Sequence, residues 1–274
     1  MDWGDVDVAI GQAIVDGWLA DYRGTLPQHA TKSFRKRTAP SDILGVCTHH
    51  SASKNQDPAR TAAYHVGANH VSATGCPGLL YSFAISAAVE PTKVILANSL
   101  DSATWSQGKA DDGRHPEYSG DENRHLVSVL VMGDFSEAFR RGASADPSPS
   151  QLSRWRKVTS WLEELFGFDA AGYFGHFDFG KAACPGQTLR HLISSRRRAA
   201  RTLVTDRDWQ EALLRWRPHC LPKWGADGHW GNESRRALVE FEREHTHKVD
   251  GIRDPFVELL LLKKYPAAEQ SCPE

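Results

Sequence analysis

The stretch LVSVLVM, residues 126–132, constrains this chain more than any other, because Ser128 is its one polar side chain. Side chains on a strand alternate between two faces, so a strand with apolar side chains on both faces needs cover on both. The segments 43–48, 79–85 and 93–97 read as companion strands, the second of them carrying Tyr81. Helical spacing recurs at 5–22, 57–67, from Ser150 through Leu165, and at 188–203. The fold class that follows is α/β, a central mixed β-sheet flanked by helices.

At 274 residues the chain has room for one medium and one small domain. The helix at 5–22, with apolar side chains at Val6, Ile10, Ile14, Trp18 and Leu19, reads as a lid or brace. The stretch after it, with Lys32, Arg35, Lys36 and Arg37, reads as an extended, solvated connector, so 1–38 stands apart from a domain at 39–203. Arg196, Arg197 and Arg198 read as a charged outer face or an interdomain linker. Composition shifts near Asp206, and 206–266 reads as a small three-helix domain punctuated by Asp-Gly turns at 227 and 250.

Charge and apolar runs narrow the function. With 33 basic against 34 acidic residues, nothing global favours nucleic acid. No run is long enough to cross a bilayer, and the acidic start MDWGDVDVAIGQAIV does not read as a signal peptide, so no membrane insertion is expected and synthesis in a cytosol is. The five cysteines, at 47, 76, 184, 220 and 272, are scattered and odd in number, which reads as reduced thiols instead of a disulfide framework.

The chemistry concentrates in GHFDFGKAACPG, residues 175–186. His176 and Cys184 offer a nitrogen and a sulfur ligand of the kind zinc prefers. A third donor is expected from His49 or His50, and strand alternation allows only one of them to face the site without saying which. A three-ligand zinc keeps a fourth position for water and suits amide hydrolysis. A proton donor or oxyanion partner is also needed, for which Tyr81, Lys181 and His50 are the candidates.

The ordered set of a strand ending in His49-His50-Ser51-Ala52, a Tyr81-x-Phe83 strand, an Asn123-led apolar strand ending at Gly133, and Gly175-His176-x-Asp178 with Cys184-Pro185-Gly186 resembles the type 2 N-acetylmuramoyl-L-alanine amidases. That family includes bacteriophage lysozyme-type amidases and peptidoglycan recognition proteins, and the resemblance spans roughly 40–195. It implies zinc held by His49, His176 and Cys184, with Tyr81 as the catalytic tyrosine. It also implies a supporting carboxylate at Asp178 and further site roles for His50 and Trp105. Three departures stand out: Ala182 holds the family lysine's place, with Lys181 one residue earlier; Ser82 follows Tyr81 where histidine is usual, and Ser106 follows Trp105; and Leu130 occupies the place of the glutamate base that some bacterial members use.

The segment 209–251 resembles the peptidoglycan-binding type 1 domain through Asp227, Gly228, Trp230, Gly231, Ala237, Leu238 and Phe241, with Ser234 for the usual threonine and Glu242 for the usual glutamine. Together the resemblances imply a monomeric wall hydrolase whose partner is bacterial peptidoglycan. Its expected setting is a phage endolysin, held in the host cytoplasm until a holin-like protein releases it. The alternatives are a bacterial autolysin or effector, a zinc peptidase of the stem peptide, or a non-catalytic peptidoglycan receptor. Removing 206–274 is expected to weaken wall binding and spare activity on soluble fragments.

Overall fold

A computed structural model of the chain describes residues 1–107, 122–136, 146–198, 203, 205–246 and 249–266. The start of the turn-rich stretch 144–151, the end of the helix read over 188–203, the Arg198 side chain and Cys272 lie outside the described residues.

A six-stranded sheet organises the larger unit. Its strands are β1 (Leu19–Asp21), β3 (Gly45–His50), β4 (Phe83–Ile85), β5 (Val94–Leu96), β7 (Leu126–Val131) and β8 (Tyr173–Gly175), in the spatial order β1-β5-β4-β7-β3-β8. All neighbours are parallel except β4 and β5, so the sheet is mixed. β7 lies between β4 and β3 and every one of its residues is buried, as its apolar run requires. A two-stranded antiparallel ribbon, β2 (Arg35–Lys36) with β6 (Ser102–Ala103), stands beside it.

Helices cover both faces. On one, α1 (Trp3–Val15) and α4 (Pro149–Phe166) pack over Val46, Phe83, Ile85, Val127, Val129, Val131 and Tyr173. Trp155 of α4 donates its indole N–H to Thr48 Oγ1 at 2.9 Å, tying this layer to β3. On the other face α2 (Pro58–Val66) covers Ala84, Leu130 and Met132. The rest of that face, at Cys47, Leu126 and Phe174, joins one apolar cluster with the C-terminal helices α6 (Asp206–Trp216), α7 (Asn232–His245) and α8 (Pro255–Lys264). Two further helices are α3 (Glu122–His125) and α5 (Gln187–Arg198).

Several sequence expectations are corrected. The helix read over 5–22 stops at Val15, and Gly17, with φ of +77°, turns the chain so that Leu19 enters an edge strand. Tyr81 precedes β4 instead of lying within it. Asn123 sits in α3, before β7. The N-cap of α4 is Ser148, in a capping box with Gln151, followed by Pro149 in the first turn; Ser150 is already helical.

Arg35 and Lys36 are exposed as the solvated reading expects, but single arginines in the basic segments differ from it. Arg37 is only 3% exposed and donates to the carbonyls of Leu100, Ser102, Asn123, Arg124 and Leu126 at 2.5–2.8 Å. It thereby gathers the ribbon, α3 and the start of β7 around one planar donor group. Arg196 pairs with Glu163 and lies over the Tyr173 ring at 4.3 Å, while Arg197 turns inward to Asp178. None of the helices among the described residues is long and apolar enough to cross a membrane.

Candidate active site

The register of two parallel strands builds the centre. Thr48 lies opposite Gly175 across β3 and β8, so the residue that follows each, His49 on β3 and His176 just past the end of β8, emerges at the same edge of the sheet. Their rings are 4.6 Å apart between centroids. The carboxyl end of parallel strands is where such sheets place ligand chemistry.

Cys184 reaches this edge through the turn that follows. Lys181 N–H donates to the His176 carbonyl at 3.1 Å and Cys184 N–H to the Lys181 carbonyl at 2.8 Å, which curls 176–184 back on itself. The His50 amide then donates to Cys184 Sγ at 3.3 Å. Gly186 completes the bend with φ of +95°, and a Cβ there would meet the Phe135 Cβ at 2.5 Å, so only glycine fits. Ligand atoms of His49, His176 and Cys184 all lie within 4.8 Å of one another.

Strand alternation separates the two adjacent histidines. His49 faces the side of the sheet that carries Tyr81, with ring centroids 5.0 Å apart. His50 points the other way, stacks on Phe135 at 6.0 Å and accepts the Phe135 N–H on Nδ1 at 3.1 Å. It therefore touches the cysteine through its backbone and offers no ring nitrogen to the three-residue group.

The electrostatics of the group are those of dry, neutral ligands. Burial, helped by His176 and His50, holds the His49 imidazole well below its ordinary pKa. Burial with Lys181 and His50 nearby lowers His176 to about 4. The Cys184 thiol is pushed up to about 12 by burial, against the pull of the His50 N–H. Burial, reinforced by the Cys184 and Cys47 sulfurs, also raises the Tyr81 hydroxyl, which stays protonated.

One feature is unusual for a packed core. His49 is 0% exposed, and neither its Nδ1 nor its Nε2 has a hydrogen-bond partner among the described residues. An unpaired buried polar atom costs about 1–3 kcal/mol, and here both ring nitrogens carry that cost. A cation at the centre of His49, His176 and Cys184 would partner one of the two nitrogens, since each residue offers one ligand atom, and two imidazoles with one thiolate are a donor set that suits zinc. The residues present therefore fit the metal.

In front of the group opens a cleft of about 950 Å³, lined by His50, Tyr81, His176, Lys181 and Cys184 on the sheet side. Lys181 is exposed at its rim, one residue past Gly180. Asp178 does not line the cleft. It accepts the Gly175 N–H at 3.0 Å and grips Arg197, holding the His176 turn from behind. Trp105 stands edge-on to Phe34 at 6.3 Å, away from the cleft lining. Cys76 is buried and outside the three-residue group.

The opposite wall was not anticipated from sequence. It comes from α2 and the loop after it, with Arg60, Tyr64, His65 and His70. Tyr64 Oη and His70 Nδ1 are 2.7 Å apart, and the His65 ring lies 5.9 Å from Tyr81. The available signal was a run of polar and aromatic residues at helical spacing (Arg60, Tyr64, and His65 one further on) on a helix otherwise rich in alanine.

The chain matches no protein-family model, and no curated protein matches its sequence. Among solved structures it is similar to the N-acetylmuramoyl-L-alanine amidase LysC from Clostridium intestinale URNW, at 14% identity and a TM-score of 0.43, over 65% of this chain and 95% of that one. It is also similar to wild-type Drosophila PGRP-LB, at 17% identity and a TM-score of 0.43, over 65% and 94%. A third is peptidoglycan recognition protein-LE in complex with tracheal cytotoxin, at 14% identity and a TM-score of 0.45, over 65% and 92%.

Proposed function

We propose that the chain is a zinc-dependent hydrolase that cuts the amide between N-acetylmuramic acid and L-alanine in bacterial peptidoglycan. The observation that carries this reading is the pair of unpartnered ring nitrogens on buried His49, beside His176 and Cys184 and behind an open cleft. The choice of substrate follows the ordered motifs that resemble the type 2 amidases.

His49, His176 and Cys184 would hold the ion, whose chemistry is to lower the pKa of a bound water toward neutrality and polarise a carbonyl. Tyr81, kept protonated by burial, presents an O–H beside His49 and donates to the oxygen on which negative charge develops. Lys181 stands at the exposed rim beside His176 and supplies a cation toward the substrate's acidic or departing groups. His50, with Nδ1 accepting from Phe135, carries its proton on Nε2 as a neutral ring and fixes Cys184 through its amide. The cleft is large enough to take a sugar and the first residues of a peptide together.

The test is digestion of purified peptidoglycan by the wild type and by Cys184→Ala, with metal content measured on both and products identified by mass. Wild type is expected to carry about one zinc per chain and to release peptides beginning with L-alanine, and the variant to do neither. A metal-free wild type that still binds the wall would replace this reading with that of a receptor.

A further inference from the structure

The turn that carries His176 is closed by its own backbone, with Lys181 N–H donating to the His176 carbonyl at 3.1 Å, but those bonds do not fix where it sits against the rest of the fold. It is one short 3-10 stretch, His176–Phe179, and Gly175 at its N-cap position makes no side-chain cap. Side chains around it set its place. Asp178 ties it to Arg197 and to the Gly175 amide, and Arg190 lies over the Phe177 ring at 4.5 Å. The last residue, Phe179, is held by a ring from the C-terminal helices.

That ring is Phe256, the second residue of α8 and 2% exposed. It stands edge-on to Phe179 at 5.5 Å and 77°, and to Phe174 at 5.7 Å and 81°. Phe174 and Phe179 are themselves 5.9 Å apart, so the three rings close a triangle between β8, the turn and α8. Phe174 lies two residues before His176 and Phe179 three after it, so the triangle brackets the ligand on both sides. The start of α8 is itself fixed, because Asp254 caps it through the Phe256 and Val257 amides at 2.9 Å. Glu258 accepts the Leu203 N–H at 2.9 Å, and Lys263 reaches Asp169 at 3.9 Å, anchoring α8 to the larger unit.

We propose that Phe256 is a positioning residue for His176, so that the C-terminal helical unit is part of the metal site as well as a neighbour joined to it. This rests on the zinc reading above. Interiors are packed with little free volume, so loss of the Phe256 ring opens a void directly against the turn. Metal–ligand distances tolerate only about ±0.2 Å, so a turn free to settle into that void binds the ion less well.

The experiment measures zinc dissociation constants by competition with a chromophoric chelator for full-length wild type, Phe256→Ala, Phe256→Leu and Leu238→Ala, alongside thermal unfolding of the metal-free forms. Leu238 is buried within the helical unit on α7 and serves as the control for general loosening. Phe256→Ala is expected to weaken zinc binding ~10–100-fold, the usual effect of losing a support behind a metal ligand. Phe256→Leu, which refills most of the space, should recover most of that loss, and Leu238→Ala should lower the unfolding temperature with zinc affinity unchanged.

Equal affinities for wild type and Phe256→Ala overturn the inference, as does an equal weakening in Leu238→Ala. If Phe256→Ala does not fold, Phe179→Leu takes its place: weaker zinc binding supports the inference and unchanged binding overturns it. A wild type that binds no zinc removes the metal reading and this inference with it, whereas a zinc-binding wild type with indifferent variants removes this inference alone.

Discussion

Asp178 and Arg197 are joined by two hydrogen bonds, Nη1 to Oδ2 at 2.9 Å and Nη2 to Oδ1 at 3.0 Å, with side chains only 6% and 12% exposed. The pair fastens the turn after β8 to α5, and Asp178 also takes the Gly175 amide. An acid two residues past a histidine and an arginine within a basic helix thus form one brace behind the proposed metal centre.

Breaking that brace from one side leaves a buried charge without its partner, which typically costs 3–5 kcal/mol. Arg197→Met should therefore lower unfolding free energy by about 3 kcal/mol or more in urea denaturation. Asp178→Asn/Arg197→Met should cost less than the sum of the two single changes, because each single change already removes the same interaction. Additive costs would show that the two side chains act independently.

Tyr81 is the next to test. Tyr81→Phe removes one O–H and keeps the ring against His49, so zinc content and folding should stay at wild-type levels. Loss of a single donor to developing negative charge lowers turnover by roughly 10²–10³-fold. Turnover within about threefold of wild type would exclude the hydroxyl from the chemistry, and zinc loss would make Tyr81 a support for the ligands instead.

How much of this was legible in the sequence follows from how local each signal is. The apolar run, broken only by Ser128, gave β7 its central place, and the Ile43–Thr48 run led directly to the histidines at the end of β3. Alternation alone did not choose between His49 and His50, since it says only that they diverge; the motif resemblance pointed to His49, and the packed neighbours, Tyr81 and Phe135, show which way each ring turns. The short strands β1, β2 and β6 are two or three residues long and carry no period of their own. Arg37 and Arg197 look like surface charge in any window, since their burial depends on carbonyls and a carboxylate brought in from elsewhere.

Arg37 supplies a stability test away from the cleft. Its guanidinium meets five backbone carbonyls from 100 to 126, more than any other side-chain type could reach with one planar group. Arg37→Met keeps the apolar stem and removes every one of those donors. Unfolding free energy should fall by at least about 3 kcal/mol, since buried carbonyls lose charged partners. Arg37→Lys should recover only part, because an ammonium has three donors and no planar fork. A change below about 1 kcal/mol in Arg37→Met would mean that water replaces the guanidinium without loss.

Glu242 on α7 sets a pH dependence for the C-terminal helices. Its side chain is fully buried, Oε2 accepts the Asp250 and Gly251 amides at 2.9 and 2.7 Å, and Oε1 has no partner among the described residues. Burial outweighs those two amides and raises its pKa from 4.5 to about 7. Between those values the folded chain keeps a proton that the unfolded chain has released, so stability falls as pH rises through that window and levels off above it. The loss by pH 8 is on the order of 1–3 kcal/mol. Glu242→Gln cannot ionise and keeps an oxygen for the two amides. It should be more stable than wild type at pH 8, nearly equal at pH 4.5, and flatter between them in denaturant midpoints. A wild type and variant with parallel pH profiles would show that Glu242 titrates at its ordinary value in the folded protein.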